Sequence, residues 1–239
     1  MLNKFRYRSD QQEWMDQPGI SKELLFRNLR ELDILNRFLR GHAISIKGLK
    51  HLALTSKNPL HVVDLGCGSG DVLKYMARWT RKSNIKIKLT GVDVNAHAID
   101  YLREKTAEYP EINAVHSGYL EFVQSNRPVD IYHCSLFCHH LTDQQLIELF
   151  SLFKNNSTLG FIINDLIRSP LAYYSSVFFT RLANATSLAK NDGPVSVLRG
   201  FKKNELISLL NSSGNYNFRI SAAFGFRYLV VGKTKNTTA

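Results

Sequence analysis

The chain has 239 residues and is 44% hydrophobic, which supports one well-buried domain with an elaboration and is too short for two ample ones. Its net charge of +11, from 31 Lys and Arg against 20 Asp and Glu, suits nucleic acid, an anionic membrane surface or plain solubility; apart from Lys74, Arg78, Arg81, Lys82, Lys86 and Lys88 the basic residues are dispersed. No apolar run reaches the roughly 18 residues of a membrane span, and Cys67, Cys134 and Cys138 contain no CxxC pair, which excludes a disulfide framework or a zinc ribbon. A cytoplasmic protein is expected, with room for a peripheral membrane contact.

Between Ser21 and Arg40 the residues Leu25, Leu29, Leu32, Leu35 and Leu39 recur at steps of three and four, predicting an amphipathic helix that starts at Ser21 and stops at Gly41. From residue 60 short β-rich runs alternate with helical ones. LHVVDLG reads as a strand, Asp71 to Arg81 as a helix and IKIKLTGVDV as a second strand. Asn95 caps a helix ending at Pro110, INAVHSG and VDIYHCS are the third and fourth strands, and Thr142 with Gln145 makes a capping box before the fifth strand, LGFIIND. Such alternation predicts an α/β fold with a doubly wound, mostly parallel sheet and ligands at the carboxyl ends of its strands. Residues 166–198 break the pattern with Tyr173, Tyr174, Phe178 and Phe179 and a predicted turn at Asp192-Gly193-Pro194. Phe201 to Leu210 resumes as a helix, YNFRISAAFGFRYLVVGK reads as two antiparallel strands around Gly225, and the tail KTKNTTA is expected to fray. One domain follows, made of an N-terminal helical flank or lid (1–58), a core (59–165), a cap insertion (166–198) and a C-terminal helix and hairpin (199–232).

The core opens with VVDLGCGSGD, residues 62 to 71. Alternating glycines remove side chains where the chain turns, so a ligand can rest on main-chain N–H groups. A P-loop needs Gly-Lys-Ser/Thr, but Gly70 is followed by Asp71; the dinucleotide fingerprint needs glycine at the sixth place from Gly66, which is also Asp71. An acid there repels pyrophosphate and suits a ligand bearing an ammonium or sulfonium group. The second strand ends in Asp93, placed to hold a ribose diol.

Asp64, Gly66, Gly68 and Gly70 in D-x-G-x-G-x-G, with Asp93 closing the second strand, resemble the class I S-adenosylmethionine-dependent methyltransferases over residues 60 to 165 and again at the C-terminal hairpin. The resemblance implies a seven-stranded Rossmann-like sheet with an antiparallel last strand, and S-adenosylmethionine as cofactor. It places Gly66, Cys67, Gly68 and Gly70 under the methionine portion, Asp93 on the ribose, and Asp64, Val94 and Ser135 in the same cleft. Many members contact the adenine amine through an acid after the third strand; here Gly118-Tyr119-Leu120-Glu121 stands there, so the acid is absent or displaced to Glu121, and Tyr119 or Leu120 is expected to meet the ring.

The fourth strand runs into Ser135-Leu136-Phe137-Cys138-His139-His140-Leu141, the segment that passes the methyl group in that family. It contains neither the Asp/Asn-Pro-Pro-Tyr/Phe of base-flipping amino-methyltransferases nor a Pro-Cys nucleophile, so no specific nucleic acid is expected. His-His-Leu resembles instead enzymes acting on quinones, phenols, sterols and polyketides. An imidazole titrating near neutrality suits deprotonation of a hydroxyl, so His139 or His140 is the candidate general base, with Asp165 near substrate or base. No metal is expected, because His133 and Cys134 point to opposite faces of their strand. Glu13-Trp14-Met15-Asp16, Asn164 to Leu171 and Asn191 to Val197 resemble bacterial methyltransferases of polyketide and aromatic lipid pathways. The expected acceptor is a small, apolar, hydroxyl-bearing aromatic or polyketide-like molecule, methylated at oxygen in preference to carbon. A cofactor-holding pseudoenzyme that binds a partner and an RNA methyltransferase are the alternatives.

Overall fold

The computed structural model describes residues 3–17, 19–53, 59–125, 129–214 and 217–234. After two short 3₁₀ turns at Asn3–Phe5 and Trp14–Asp16 come helices α1 (Lys22–Phe38) and α2 (Gly41–Ala53). Then strand and helix alternate as β1 (Leu60–Leu65), α3 (Asp71–Lys82), β2 (Ile87–Asp93), α4 (Ala96–Lys105), β3 (Ile112–His116), α5 (Tyr119–Gln124), β4 (Val129–Ser135), α6 (Asp143–Asn156) and β5 (Ser157–Leu166). Helices α7 (Pro170–Leu182), α8 (Ser187–Arg199) and α9 (Lys203–Ser212) precede the hairpin β6 (Asn217–Ala223) and β7 (Arg227–Lys233). The seven strands form one sheet in the order β3-β2-β1-β4-β5-β7-β6, parallel from β3 to β5 and antiparallel where β7 meets β5 and β6. The chain therefore has the doubly wound Rossmann-like methyltransferase fold.

Successive residues of a buried strand face opposite layers, and the core divides accordingly. Val63 and Phe161 pack with Phe150, Phe153 and Leu210 from α6 and α9 on one face. Their neighbours Val62 and Ile162 pack with Leu49, Leu73, Met76 and Leu102 from α2, α3 and α4 on the other. Cys134, fully buried, belongs to the first layer.

Helix starts follow the local chemistry of the sequence. Ser21 caps α1, Asn95 Oδ1 accepts from the N–H groups of His97 and Ala98, and Thr142 with Gln145 forms the reciprocal box at α6. Four expectations need correction. Gly41 does not end the helical region: Arg40 takes the left-handed turn at φ 54° and Gly41 opens α2. The helix capped by Asn95 stops at Lys105, five residues before Pro110, as Thr106 Oγ1 turns back onto Leu102 O and Tyr109 N–H bonds Thr106 O. The C-terminal helix begins at Lys203, because Phe201 is taken up by a parallel bridge to Ile167. Asp192-Gly193-Pro194 lies inside α8 instead of forming a turn; a Cβ at Gly193 would come 2.7 Å from Ser176 Oγ, so the glycine admits close packing of α7. The expectation for the tail falls on residues 235–239, outside the described residues.

Candidate active site

The glycine loop leaves β1 with Gly66, Gly68 and Gly70 all in the left-handed region, at φ 67°, 49° and 67°. Gly66 and Cys67 both donate to Val92 O, at 2.9 and 3.1 Å, which ties the loop to β2. A Cβ on Gly66 would overlap the Phe137 ring, whereas one on Gly68 would meet only Leu29 of α1, at 3.4 Å. Asp93 accepts from Gly68 N–H at 3.0 Å through one oxygen and from Asn95 N–H at 2.9 Å through the other. Burial pushes its carboxyl up, partly offset by these bonds. Val94 beyond it is exposed, and its carbonyl accepts from His116 Nε2 at 2.9 Å. Gly118 opens onto free space, Tyr119 meets Phe137 edge-on at 5.4 Å, and Leu120 is half-buried. Ser135 ends β4, half-buried, 3.5 Å from Asn164 Nδ2. Loop, Asp93–Val94, Gly118–Leu120 and Ser135 thus stand at the carboxyl ends of four neighbouring parallel strands, where such sheets bind ligands.

Three acidic and thiol groups of this edge are occupied differently from the sequence expectation. Asp64, 2% exposed, is committed to His133 Nδ1 at 2.6 Å, and His133 Nε2 meets Ser45 Oγ at 2.9 Å. It braces the loop from below and does not open into the cleft. Asp71 is also buried, accepting from His42 Nε2 at 2.7 Å and Asn36 Nδ2 at 3.2 Å. Burial is the largest influence and raises its carboxyl, but the hydrogen bond and charge of His42, with the bonds from Asn36 and Val72 N–H, together hold it below its usual value. Its charge is shared with His42 and Asn36 inside the protein. The Cys67 thiol, buried and raised by burial and then by Asp93 and Asp64, contributes only its backbone.

At the ends of β4 and β5 a second cluster forms. His139, 2% exposed, sits on a 3₁₀ turn (Cys138–His140) with Nδ1 2.6 Å from Asp165 Oδ1, while its N–H donates to Asp165 Oδ2 at 3.2 Å. Its Nε2 is 3.3 Å from Glu13 Oε1. Burial alone lowers an imidazole; here the charges of Asp165 and Glu13 overcome it and raise His139 to about 10, so the ring is an imidazolium at neutral pH. Correspondingly, His139 holds Asp165 below the usual carboxylate range despite burial. The His140 ring lies 4.3 Å from that of His139, with Nδ1 2.7 Å from Asp16 Oδ2 and Nε2 3.9 Å from Glu13 Oε1, beyond hydrogen-bond range.

Arginines lock this cluster from behind. Arg199 donates to the carbonyls of His139, His140 and Gln11 at 3.0, 2.7 and 2.7 Å, and Arg8 to those of His139 and Leu141 at 3.1 and 2.7 Å. Asp192 of α8 accepts from Trp14 and Met15 N–H at 2.8 and 3.0 Å. The three signature segments singled out by sequence therefore meet at one place. Glu13 and Asp16 carried no signal of this role, because their partners lie more than 120 residues away and no local pattern connects them. On α7, Tyr174, Phe178 and Phe179 are 53%, 60% and 49% exposed.

A family model described as a methyltransferase domain matches residues 62–156, which span β1 to α6. Together with the sheet order and the glycine loop, this match makes residues 62–156 a methyltransferase domain. The residues fit S-adenosylmethionine as cofactor: backbone N–H groups at a loop without side chains, a carboxylate at the end of β2 and open space above Gly118. Among solved structures the chain is similar to the plantazolicin methyltransferase in complex with a triazolic desmethylplantazolicin analogue and S-adenosylhomocysteine (15% identity, TM-score 0.66, 90% of this chain and 95% of that one). It is also similar to magnesium protoporphyrin IX methyltransferase from Synechocystis with bound S-adenosylhomocysteine (16%, 0.58, 92% and 91%) and to the methyltransferase domain of the citrinin polyketide synthase (11%, 0.53, 73% and 46%). Among curated proteins none matches the sequence.

Proposed function

We propose that the chain methylates a hydroxyl oxygen of a small, apolar aromatic or polyketide-like acceptor, with His140 as general base. One observation carries the choice of base. Both ring nitrogens of His139 face buried carboxylates within 3.3 Å, whereas Nε2 of His140 stands 3.9 Å from Glu13 and outside hydrogen-bond range. A charged, enclosed imidazolium has no lone pair to offer, so His139 and Asp165 act as a strut that holds the 3₁₀ turn. When bound, S-adenosylmethionine supplies a methyl group on sulfonium for in-line displacement. The protein's part is to present the acceptor oxygen and take its proton at His140 Nε2. Gly66 to Gly70 carry the methionine portion, Asp93 the ribose, and Val94, Tyr119 and Leu120 the adenine.

Support for an apolar acceptor comes from α7, whose Leu171, Tyr174, Phe178 and Leu182 recur at steps of three and four and are all more than half exposed. Among the similar proteins one works within a polyketide synthase and another was solved with an azole-bearing substrate analogue. Three free, buried cysteines support a reducing, cytoplasmic setting; among the described residues no helix is long and apolar enough to cross a membrane.

The test is a panel of phenols, quinols, resorcinol-like lipids and structured RNA, each incubated with methyl-labelled cofactor at physiological salt. Label on the oxygen of an apolar phenol or quinol is expected. Label at a defined RNA position, or none on any hydroxyl-bearing aromatic, overturns the acceptor assignment.

A further inference from the structure

The turn at Glu13–Asp16 sits in the N-terminal flank, yet both of its carboxylates reach the histidine pair. We infer that Asp16 is a positioning residue for His140 and that this turn is a working part of the catalytic apparatus; the inference rests on the reading of His140 as base.

An ionised carboxylate only accepts hydrogen bonds, so the 2.7 Å contact from Asp16 Oδ2 requires the proton of a neutral His140 ring to sit on Nδ1. That tautomer leaves the lone pair on Nε2, the nitrogen a general base needs. The wrong tautomer would present an N–H to the acceptor hydroxyl and block proton transfer. Asp16 also acts at the cofactor edge: after burial, the two backbone bonds and the charge of Asp64, its own charge adds to the upward shift of Asp93.

The turn is fastened well enough to do this. Asp192, 4% exposed, holds the N–H groups of Trp14 and Met15, and Asp16 N–H bonds Glu13 O at 3.2 Å. Glu13 is 2% exposed and its Oε1 makes no hydrogen bond, but it lies 3.3 and 3.9 Å from the Nε2 atoms of His139 and His140. The charged groups around His140 are thus Asp16 and Glu13 from the turn, His139 beside it, Asp165 from β5, and Arg199 on its carbonyl. The Asp16 side chain itself is 43% exposed, so its loss costs the fold little and a variant reports on positioning.

The experiment uses the full chain with Asp16→Asn, Asp16→Glu, Glu13→Gln and His140→Ala. It measures turnover on the best acceptor of the panel, S-adenosylhomocysteine affinity and the ¹⁵N ring tautomer of His140. An amide can turn its NH₂ to Nδ1, so Asp16→Asn is expected to populate the Nε2–H tautomer and lower turnover at least about 10-fold, within the roughly 10²–10⁴-fold worth of the base. Cofactor affinity should hold, and Asp16→Glu should restore the Nδ1–H tautomer and part of the rate. Unchanged tautomer and turnover in Asp16→Asn, with His140→Ala inactive, overturns the positioning role alone. Full activity of His140→Ala overturns the base and this inference with it. One equivalent of divalent metal on the purified chain, lost in Glu13→Gln, also overturns it, because both Nε2 atoms would then be ligands.

Discussion

At the carboxyl ends of β1 and β2 the residues assigned to the cofactor lie between Gly66 and Val94, and backbone torsions and main-chain bonds set their positions. At the ends of β4 and β5 the groups that surround the histidine pair come from Arg8, Glu13, Asp16, Asp165, Asp192 and Arg199, and buried charge sets their positions. The first edge is local geometry with few side chains in it; the second is a network in which each member needs partners from a distant element. Substitutions at the first should act on cofactor affinity and stability, and at the second on the chemical step.

The largest effect expected is on that chemical step. His140→Ala should lower turnover by about 10²–10⁴-fold while S-adenosylhomocysteine affinity by calorimetry stays within about 2-fold. A parallel loss of affinity would erase the distinction between the two edges. Next comes Gly70→Ala. A left-handed alanine costs about 1–2 kcal/mol, and its Cβ would come 2.7 Å from Leu102 Cγ, which adds overpacking of about 1–3 kcal/mol. Urea unfolding should show a loss of at least about 2 kcal/mol, and a neutral result would mean that the loop relaxes freely.

Asp93→Ala should weaken S-adenosylhomocysteine by about 1.5–3 kcal/mol, as for a lost hydrogen bond to a charged group. At saturating cofactor its turnover should stay near wild type, the mirror image of His140→Ala; unchanged affinity would remove Asp93 from the ribose. Per pH unit, the smallest effect is a slope in stability. His139 is raised from 6.5 to about 10, so the stability it contributes is fully present below pH 6.5 and is lost as pH rises through 10. Over that window the folded state holds one more proton than the unfolded, and stability should fall by at most about 1.4 kcal/mol per pH unit. Denaturation at pH 6, 8 and 9.5, with an NMR titration of the ring, checks it. A His139 ring that titrates below pH 7 would dissolve the strut.

Much of the fold and of the cofactor edge was legible in the sequence. Strand and helix alternation, the Asn95 and Thr142 caps, the glycine loop and Asp93 depend on periodicity and on residues within a few positions of one another. Gly41 and Gly193 misled the reading, because a glycine that permits close packing looks the same in sequence as one that ends a helix or makes a turn.

By itself, then, the sequence determined the doubly wound sheet and the left-handed glycine loop after β1, because torsional preference and hydrophobic period are local. Only the tertiary structure decided that Asp64 and Asp71 are bound to His133 and His42, that His139 is enclosed while His140 keeps a free nitrogen, and that Glu13 and Asp16 belong to the site. Those outcomes depend on which carboxylate reaches which imidazole across 26 to 126 residues of chain. Once buried, a charge is stable only beside its counter-charge, so the approach of distant elements, and no local pattern, assigns each group its role.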